Sequence, residues 1–210
     1  LFADNSQGLG SEQLKLQQAV EAELEGDYRK ARELFRRISR TYNDGEEDKQ
    51  VPFFFRARGG AARCLFRSSS DTEQAQKDAS GEILPLLSQA REARSVGGES
   101  VLRYELAKIY WGDRGKDSAE ALKYLQPVLN EIGGNNVYRE GALLFMLEVL
   151  AADGKTVDSE KVLTELRKVW PDSQTLVAGT YYLIEAYAAS SNPENQRRAG
   201  ELVLDWIRLP

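Results

Sequence analysis

The sequence predicts an all-α protein of about five consecutive antiparallel helical hairpins, on three observations. Apolar residues recur at helical spacing in one segment after another along the 210 residues. Glycine, proline and Asn/Asp-rich turns separate these segments. Almost no stretch alternates apolar and polar residues as a half-buried strand would. The pattern is clearest in Gly26-Asp27-Tyr28-Arg29-Lys30-Ala31-Arg32-Glu33-Leu34-Phe35-Arg36-Arg37-Ile38. Gly26 supplies a turn, Asp27 caps the next helix, and Tyr28, Ala31, Phe35 and Ile38 fall on one face. Ala31 leaves room for a neighbouring helix, and the Phe35 ring fills the gap one turn later.

Taken in order, residues 1–10 are expected to be a flexible segment and 11–210 a single helical repeat domain. Ser11 caps a first helix that faces its neighbours through Leu14, Ala19, Ala22, Val20 and Leu24 and stops at Gly26. A second helix covers about 27–42, followed by a polar, acidic loop over 43–49. Val51-Pro52-Phe53 opens the third, with Pro52 in its first turn. Gly59, Gly60, Ala61 and Ala62 weaken that helix unless a partner helix crosses closely there. Cys64 lies on the same face and is expected to be a small buried hydrophobe. Asp71 caps the fourth helix, whose apolar face runs from Ala75 to Ala90; Pro85 is expected to kink or interrupt it near 81–85. Ser95-Val96-Gly97-Gly98 is the next expected break.

A fifth helix then runs from about Glu99 to Trp111 with Leu102, Leu106, Ala107 and Tyr110 inward. Asp117-Ser118-Ala119-Glu120 resembles a capping box for the sixth, which buries Ala121, Leu122, Leu125 and Val128. Gly133-Gly134-Asn135-Asn136 closes it. The seventh, about 137–152, is apolar almost all round and so belongs between other helices. Gly154 turns into the eighth, with Val162, Leu163, Leu166 and Val169, ended by Trp170-Pro171-Asp172-Ser173. The ninth carries Val177, Ala178, Tyr181, Tyr182, Leu183, Ala186 and Tyr187. Asn192-Pro193-Glu194 starts the tenth, whose inner face is Ala199, Leu202, Val203 and Trp206.

Composition narrows the function classes. Net charge is −5 with both signs scattered and no long basic run, so nucleic acid is not an expected partner. No uncharged apolar run approaches the length of a membrane span, so no transmembrane segment is expected. One cysteine leaves no internal disulfide. The absence of histidine removes Ser-His-Asp, Cys-His and His-ligated zinc constellations. None of the 33 acidic residues stands in a recognisable catalytic motif. The chain is therefore expected to be no enzyme, with no catalytic residue, metal site or cofactor; a paired-carboxylate enzyme or small-ligand carrier is the least favoured alternative.

Ala31, Ala79, Ala121, Ser159 and Ala199 begin five comparable faces, spaced 48, 42, 38 and 40 residues apart. Each continues with apolar residues four and seven positions on: Phe35/Ile38, Ile83/Leu86, Leu125/Val128, Leu163/Leu166 and Val203/Trp206. With Gly26-x-Tyr28, Gly154-x-Thr156 and Pro171, this pattern resembles the second helix of tetratricopeptide-type repeats, elongated beyond their usual period of about 34 residues. The segment 140–173 fits that frame without insertion. The resemblance implies a right-handed α-solenoid of about five hairpins.

Gly26-Asp27-Tyr28 and Trp170-Pro171-Asp172-Ser173 are similar to the bacterial periplasmic, outer-membrane-associated subset of that family. This implies a periplasmic or otherwise exported protein, with a cytoplasmic one as the alternative. The first six residues fit either the end of a signal peptide plus a mature start or a polar tail. No cysteine of the lipoprotein kind stands near them, so a lipid-anchored form is not expected.

The resemblance further implies a concave groove, lined by the first helix of each hairpin, that holds a peptide or helix of a partner protein. Its groove positions fall on Tyr104, Lys108 and Trp111, on Leu144 and Glu148, and on Ile184 and Tyr187; for the third helix Phe55 and Arg58 fit best. Burial between hairpins is the competing role for the aromatics. A solvated stripe or structural ion pair competes for Lys108 and Glu148. Arg36-Arg37 and Arg197-Arg198 read as solvated outer faces. The second function class is a self-associating structural solenoid, a homo-oligomer joined through Trp206, Ile207 and Leu209.

Overall fold

In the computed structural model, residues 5–41, 51–112, 115–129 and 137–207 are described. The chain is all-α over these residues, with ten helices. Three of the turns between them share one device. The left-handed residues are Gly26 (φ 81°), Gly154 (φ 70°) and Arg94 (φ 52°). After each, the next N–H donates back to a carbonyl five residues earlier: Asp27 to Ala22 (2.9 Å), Lys155 to Leu150 (2.9 Å) and Ser95 to Ala90 (2.8 Å). This arrangement satisfies the orphan carbonyls of the outgoing helix and reverses the chain.

The chain divides into two compact units, Leu1–Gly115 and Lys116–Pro210. The first unit holds α1 (Asn5–Leu24), α2 (Tyr28–Thr41), α3 (Val51–Ser68), α4 (Thr72–Glu92) and α5 (Val96–Tyr110). Each packs on its neighbour in sequence, and α3 also packs on α5. The second holds α6 (Ser118–Leu129), α7 (Val137–Ala152), α8 (Thr156–Val169), α9 (Thr175–Ala188) and α10 (Pro193–Trp206). Neighbours pack again, and α7 also packs on α9. Within each unit the odd-numbered helices therefore form one row and the even-numbered ones the other. Apolar on nearly every side, α7 is contacted by α6, α8 and α9.

The core of the first unit gathers Leu16, Ala19, Ala22, Ala31, Phe35, Ile38, Ala57, Ala61 and Cys64. Small residues bring the helices close, and Phe35 and Ile38 fill what remains, as the spacing of α2 predicts. Ion pairs tie alternate helices along the even row. Arg32 (2.9 Å) and Arg36 (3.4 Å) of α2 reach Glu82 of α4, and Arg198 of α10 reaches Glu160 of α8 (2.9 Å). Arg36 and Arg198, expected to be merely solvated, are engaged within the chain. Arg197 pairs with Glu194 and Glu201 on its own helix.

Several expectations need correction. The helix expected to be capped by Ser11 starts at Asn5; serine sits inside helices as well as at their caps. Leu14 (56% exposed) and Leu24 (80%) face solvent, because the buried stripe of α1 follows Leu16, Ala19, Ala22 and Glu23. The break expected at 95–98 falls at 93–95 instead, and Val96, Gly97 and Gly98 already belong to α5. Ser95 caps α5 by accepting from the Gly98 N–H (3.3 Å), and Arg94 makes the turn instead of a glycine. Pro85 does not interrupt α4. Proline clashes with the carbonyl four residues back, here that of Gly81, which is exposed and has nothing within 4 Å of where a Cβ would stand. Pro127 is likewise carried inside α6 on an exposed position. The loops expected over 43–49 and 133–136 lie outside the described residues.

The predicted caps are otherwise made. Gln74 N–H donates to Asp71 (3.0 Å), Glu120 N–H to Asp117 (3.0 Å) and Glu194 N–H to Asn192 (3.0 Å). Among the described residues no helix is long and apolar enough to cross a membrane.

Candidate functional site

The odd row of the first unit carries buried charge in Glu23, Arg63 and Glu105. Along α3, Gly59, Arg63 and Arg67 follow one another at steps of four, one stripe of the helix. Arg63 is 7% exposed. Its Nε and Nη2 donate to the two oxygens of Glu23 on α1 (2.6 and 2.5 Å), and its Nη1 donates to Glu105 on α5. Arg67 adds a bond to Glu23 at 3.2 Å. One guanidinium thus links three helices, using the planar fork that suits a buried carboxylate. Gly59 makes the space: a Cβ there would stand 2.6 Å from Cγ of Glu105.

Burial alone would raise the pKa of Glu23. The Arg63 hydrogen bond and the charges of Arg63, Arg67 and Lys108 outweigh it and hold the carboxyl below its usual range. For Arg63, burial pulls the other way, but the bond to Glu23 keeps the guanidinium firmly protonated. Lys108, one turn after Tyr104 on α5, is half-buried, and its Nζ lies 4.4 Å from the centre of the Tyr104 ring. Burial and then the charge of Arg63 push its pKa down, against the pull of Tyr104 and Glu23. Cys64 is fully buried and its thiol is pushed up to about 12, mainly by burial and then by Glu23. It is no nucleophile.

Of the residues expected to line a groove, Tyr104 and Lys108 meet in this cluster, and half-buried Trp111 caps the same helix. Phe55 is buried in packing: a Cβ on Gly98 would stand 2.4 Å from its ring, and Phe54 meets it edge-on at 5.2 Å. Half-buried Arg58 lies about 140° around α3 from Arg63 and takes no part. In the second unit Leu144, Glu148 and Ile184 are half-buried. Leu144 leans on α9, its Cδ1 3.6 Å from where a Cβ of Gly179 would be. Tyr187 is buried, and burial, helped by Glu160, raises its pKa against the opposing hydrogen bond with Thr156. That is packing between α9 and α8.

Sequence reasoning missed Glu23, Arg63, Arg67 and Glu105. One signal was present. Arg63 stands inside Gly59-Gly60-Ala61-Ala62-Arg63-Cys64, and an arginine within such a close-packed run needs buried acids.

A second feature lies in the other unit. Arg139 of α7 donates to the last carbonyls of α6, Val128 and Leu129 (3.2 Å each), pairs with Glu165 of α8 (3.0 Å) and lies 5.6 Å from the Trp170 ring. Next to it, Glu140 accepts from Thr175 (2.7 Å) and from Ser173. The Trp170-Pro171-Asp172-Ser173 ending is thereby fastened to the start of α7. Further along, Gln174, Val177, Ala178, Tyr181, Tyr182 and Trp206 line an open apolar cleft of about 550 Å³ on α9 and the end of α10.

The two carboxylates of the first cluster are committed to Arg63, and Glu23 stays ionised, so it has no proton to donate as a general acid. Among the described residues no group of three acidic or thiol side chains is placed to hold a metal ion. Comparison with protein-family models, curated proteins and solved structures finds no match for this chain.

Proposed function

We propose that this protein is a non-enzymatic interaction scaffold, a right-handed α-solenoid of the tetratricopeptide-like kind, that holds a segment of a partner protein along its odd-numbered helices. The observation that carries this is the odd row of the first unit. There α1, α3 and α5 are joined by the Glu23–Arg63–Glu105 link, and half-buried Tyr104 and Lys108 stand beside it. Aromatic and cationic groups on a rigid base are what binding hot spots use. The pairing of neighbours in each unit supports the hairpin architecture. So does the fastening of Glu140 to Ser173, which brings together the two ends of a 34-residue frame. By the resemblance of the Trp170–Ser173 ending, the partner belongs to a bacterial envelope complex.

A photo-reactive residue at Tyr104 or Ile184 is expected to capture a partner in the native cells, whereas one at Arg37 or Lys123, exposed on the even row, captures none. Equal capture from both rows, or none from either, ends the proposal.

A second reading is self-association through the end of the tenth helix. It is favoured by the apolar cleft beside Trp206 and by exposed Leu204 and Ile207; Leu209 lies outside the described residues. On this reading the protein sediments as a dimer at micromolar concentration, and the pair Leu204→Lys and Ile207→Lys returns it to monomer. A wild-type monomer at that concentration removes it.

A further inference from the structure

We propose that the open cleft on α9 binds a basic segment of a partner protein, seating a lysine or arginine side chain against the Tyr181 and Trp206 rings and beside the Glu185 carboxylate. This goes beyond the scaffold reading, because the cleft takes such a side chain whether or not a guest lies along the rest of the odd-numbered helices.

Gln174, Val177, Tyr181 and Glu185 follow one another along α9 at steps of three and four, one stripe of the helix. The residues that α9 buries, Leu176, Gly179, Thr180, Leu183 and Tyr187, lie on its other side. Trp206 of α10 completes the cleft over this stripe. Its indole is held by Nε1, which donates to the Val177 carbonyl at 3.1 Å, and the Tyr181 hydroxyl donates to Glu185 at 2.5 Å. Both rings still meet solvent, Tyr181 46% and Trp206 37% exposed. Large rings fixed in orientation and left wet are preorganised binding surfaces.

Charge decides which guest they suit. Glu185 is the only charged residue of α9 and stands in its last turn, where the helix end is itself negative. Its carboxylate is exposed, accepts from Tyr181 and, among the described residues, pairs with no lysine or arginine. A neutral or acidic guest laid over the stripe would take that carboxylate out of water without a partner, which is unfavourable. A lysine or arginine removes that cost: it pairs with Glu185, and its charge is attracted by ring faces within about 6 Å. The surrounding field has the same sign, since Lys116–Pro210 holds ten Lys and Arg against fourteen Asp and Glu.

The test is calorimetric titration of the full chain, at low salt, with end-capped hexaarginine. Hexacitrulline, of nearly the same shape without the charge, is the neutral probe, and tetramethylammonium is the small-cation probe. Hexaarginine is expected to bind the wild type, and to bind Glu185→Gln and Trp206→Leu about tenfold more weakly. Glu33→Gln, which removes the same charge from an exposed position on α2, should bind as the wild type does. Glu185→Gln keeps an acceptor for the Tyr181 hydroxyl and should melt with the wild type, so its weaker binding is not unfolding. Hexacitrulline should not bind. Equal affinity of wild type, Glu185→Gln and Trp206→Leu, an equal loss in Glu33→Gln, no binding of hexaarginine, or tighter binding of tetramethylammonium would overturn the proposal. A wild-type dimer dispersed by Trp206→Leu would give the cleft to a second copy and overturn it too. Each of these failures leaves the scaffold reading standing, because that reading is decided by photo-capture at Tyr104 and Ile184.

Discussion

Replacing Arg63 with alanine should destabilise the protein by about 3–5 kcal/mol, because it strands Glu23 and Glu105 as buried carboxylates without their shared cation. For a chain of this size that is a fall in melting temperature of about 10 °C. The pH dependence should separate loss of the ion pairs from simple loss of packing. In the wild type the folded pKa of Glu23 lies below its ordinary 4.5. Its contribution is therefore complete above that value and drains away as pH falls through the lower folded pKa. In Arg63→Ala, burial becomes the dominant influence, the carboxyls prefer to be protonated when folded, and acid then favours the fold. The gap between the two proteins should narrow on going from pH 7 to pH 4, as read by urea unfolding. A gap below about 1 kcal/mol at pH 7, or one that widens in acid, contradicts the account of the cluster.

Adding a single methyl group at Gly60 should cost about 1–3 kcal/mol, although alanine is the better helix former by about 1 kcal/mol. The new Cβ would stand 2.8 Å from Cζ of Phe35 and 2.9 Å from Cε1, and that ring is buried in the core with no open side to turn into. Gly60→Ala combined with Phe35→Leu should be less damaging than the two single effects added together, since the smaller side chain removes the clash. Gly200 and Gly141 are the controls. They too are helical, but nothing lies within 4 Å of an added Cβ, so alanine should raise stability by up to about 1 kcal/mol at each. If Gly60→Ala proves as stabilising as Gly200→Ala, the close crossing of α2 and α3 is wrong.

These two sites also mark how far the sequence could be read. The small run at 59–62 announces a close helix crossing, and the structure supplies its partners: Phe35 against Gly60 and Glu105 against Gly59. Capping residues are local signals, so Asp71, Asp117 and Asn192 set helix starts where expected, and α7 keeps its predicted bounds. Gly97-Gly98 misled because glycine serves two purposes. Read as a turn, Gly98 instead makes room for the Phe55 ring, while Arg94 takes the left-handed conformation that glycine usually fills. The Glu23–Arg63–Glu105 link joins residues about 40 positions apart in sequence. Helical periodicity ranks such residues as surface, and no local rule says which acids an arginine will find. Lys108 is legible as an interruption of an apolar face and Tyr104 only as a groove position implied by the resemblance; the charges around them are not.

The division into two compact units gives each half its own intrinsic optical reporter. Trp111 is the sole indole of Leu1–Gly115, whereas Trp170, against Arg139, and Trp206, whose Nε1 donates to Val177 at 3.1 Å, belong to Lys116–Pro210. With Trp170 and Trp206 changed to phenylalanine, emission colour follows only the half that holds the Arg63 cluster. Acid melting of that half then becomes visible apart from the other, and the cooperativity of the chain becomes a spectroscopic quantity.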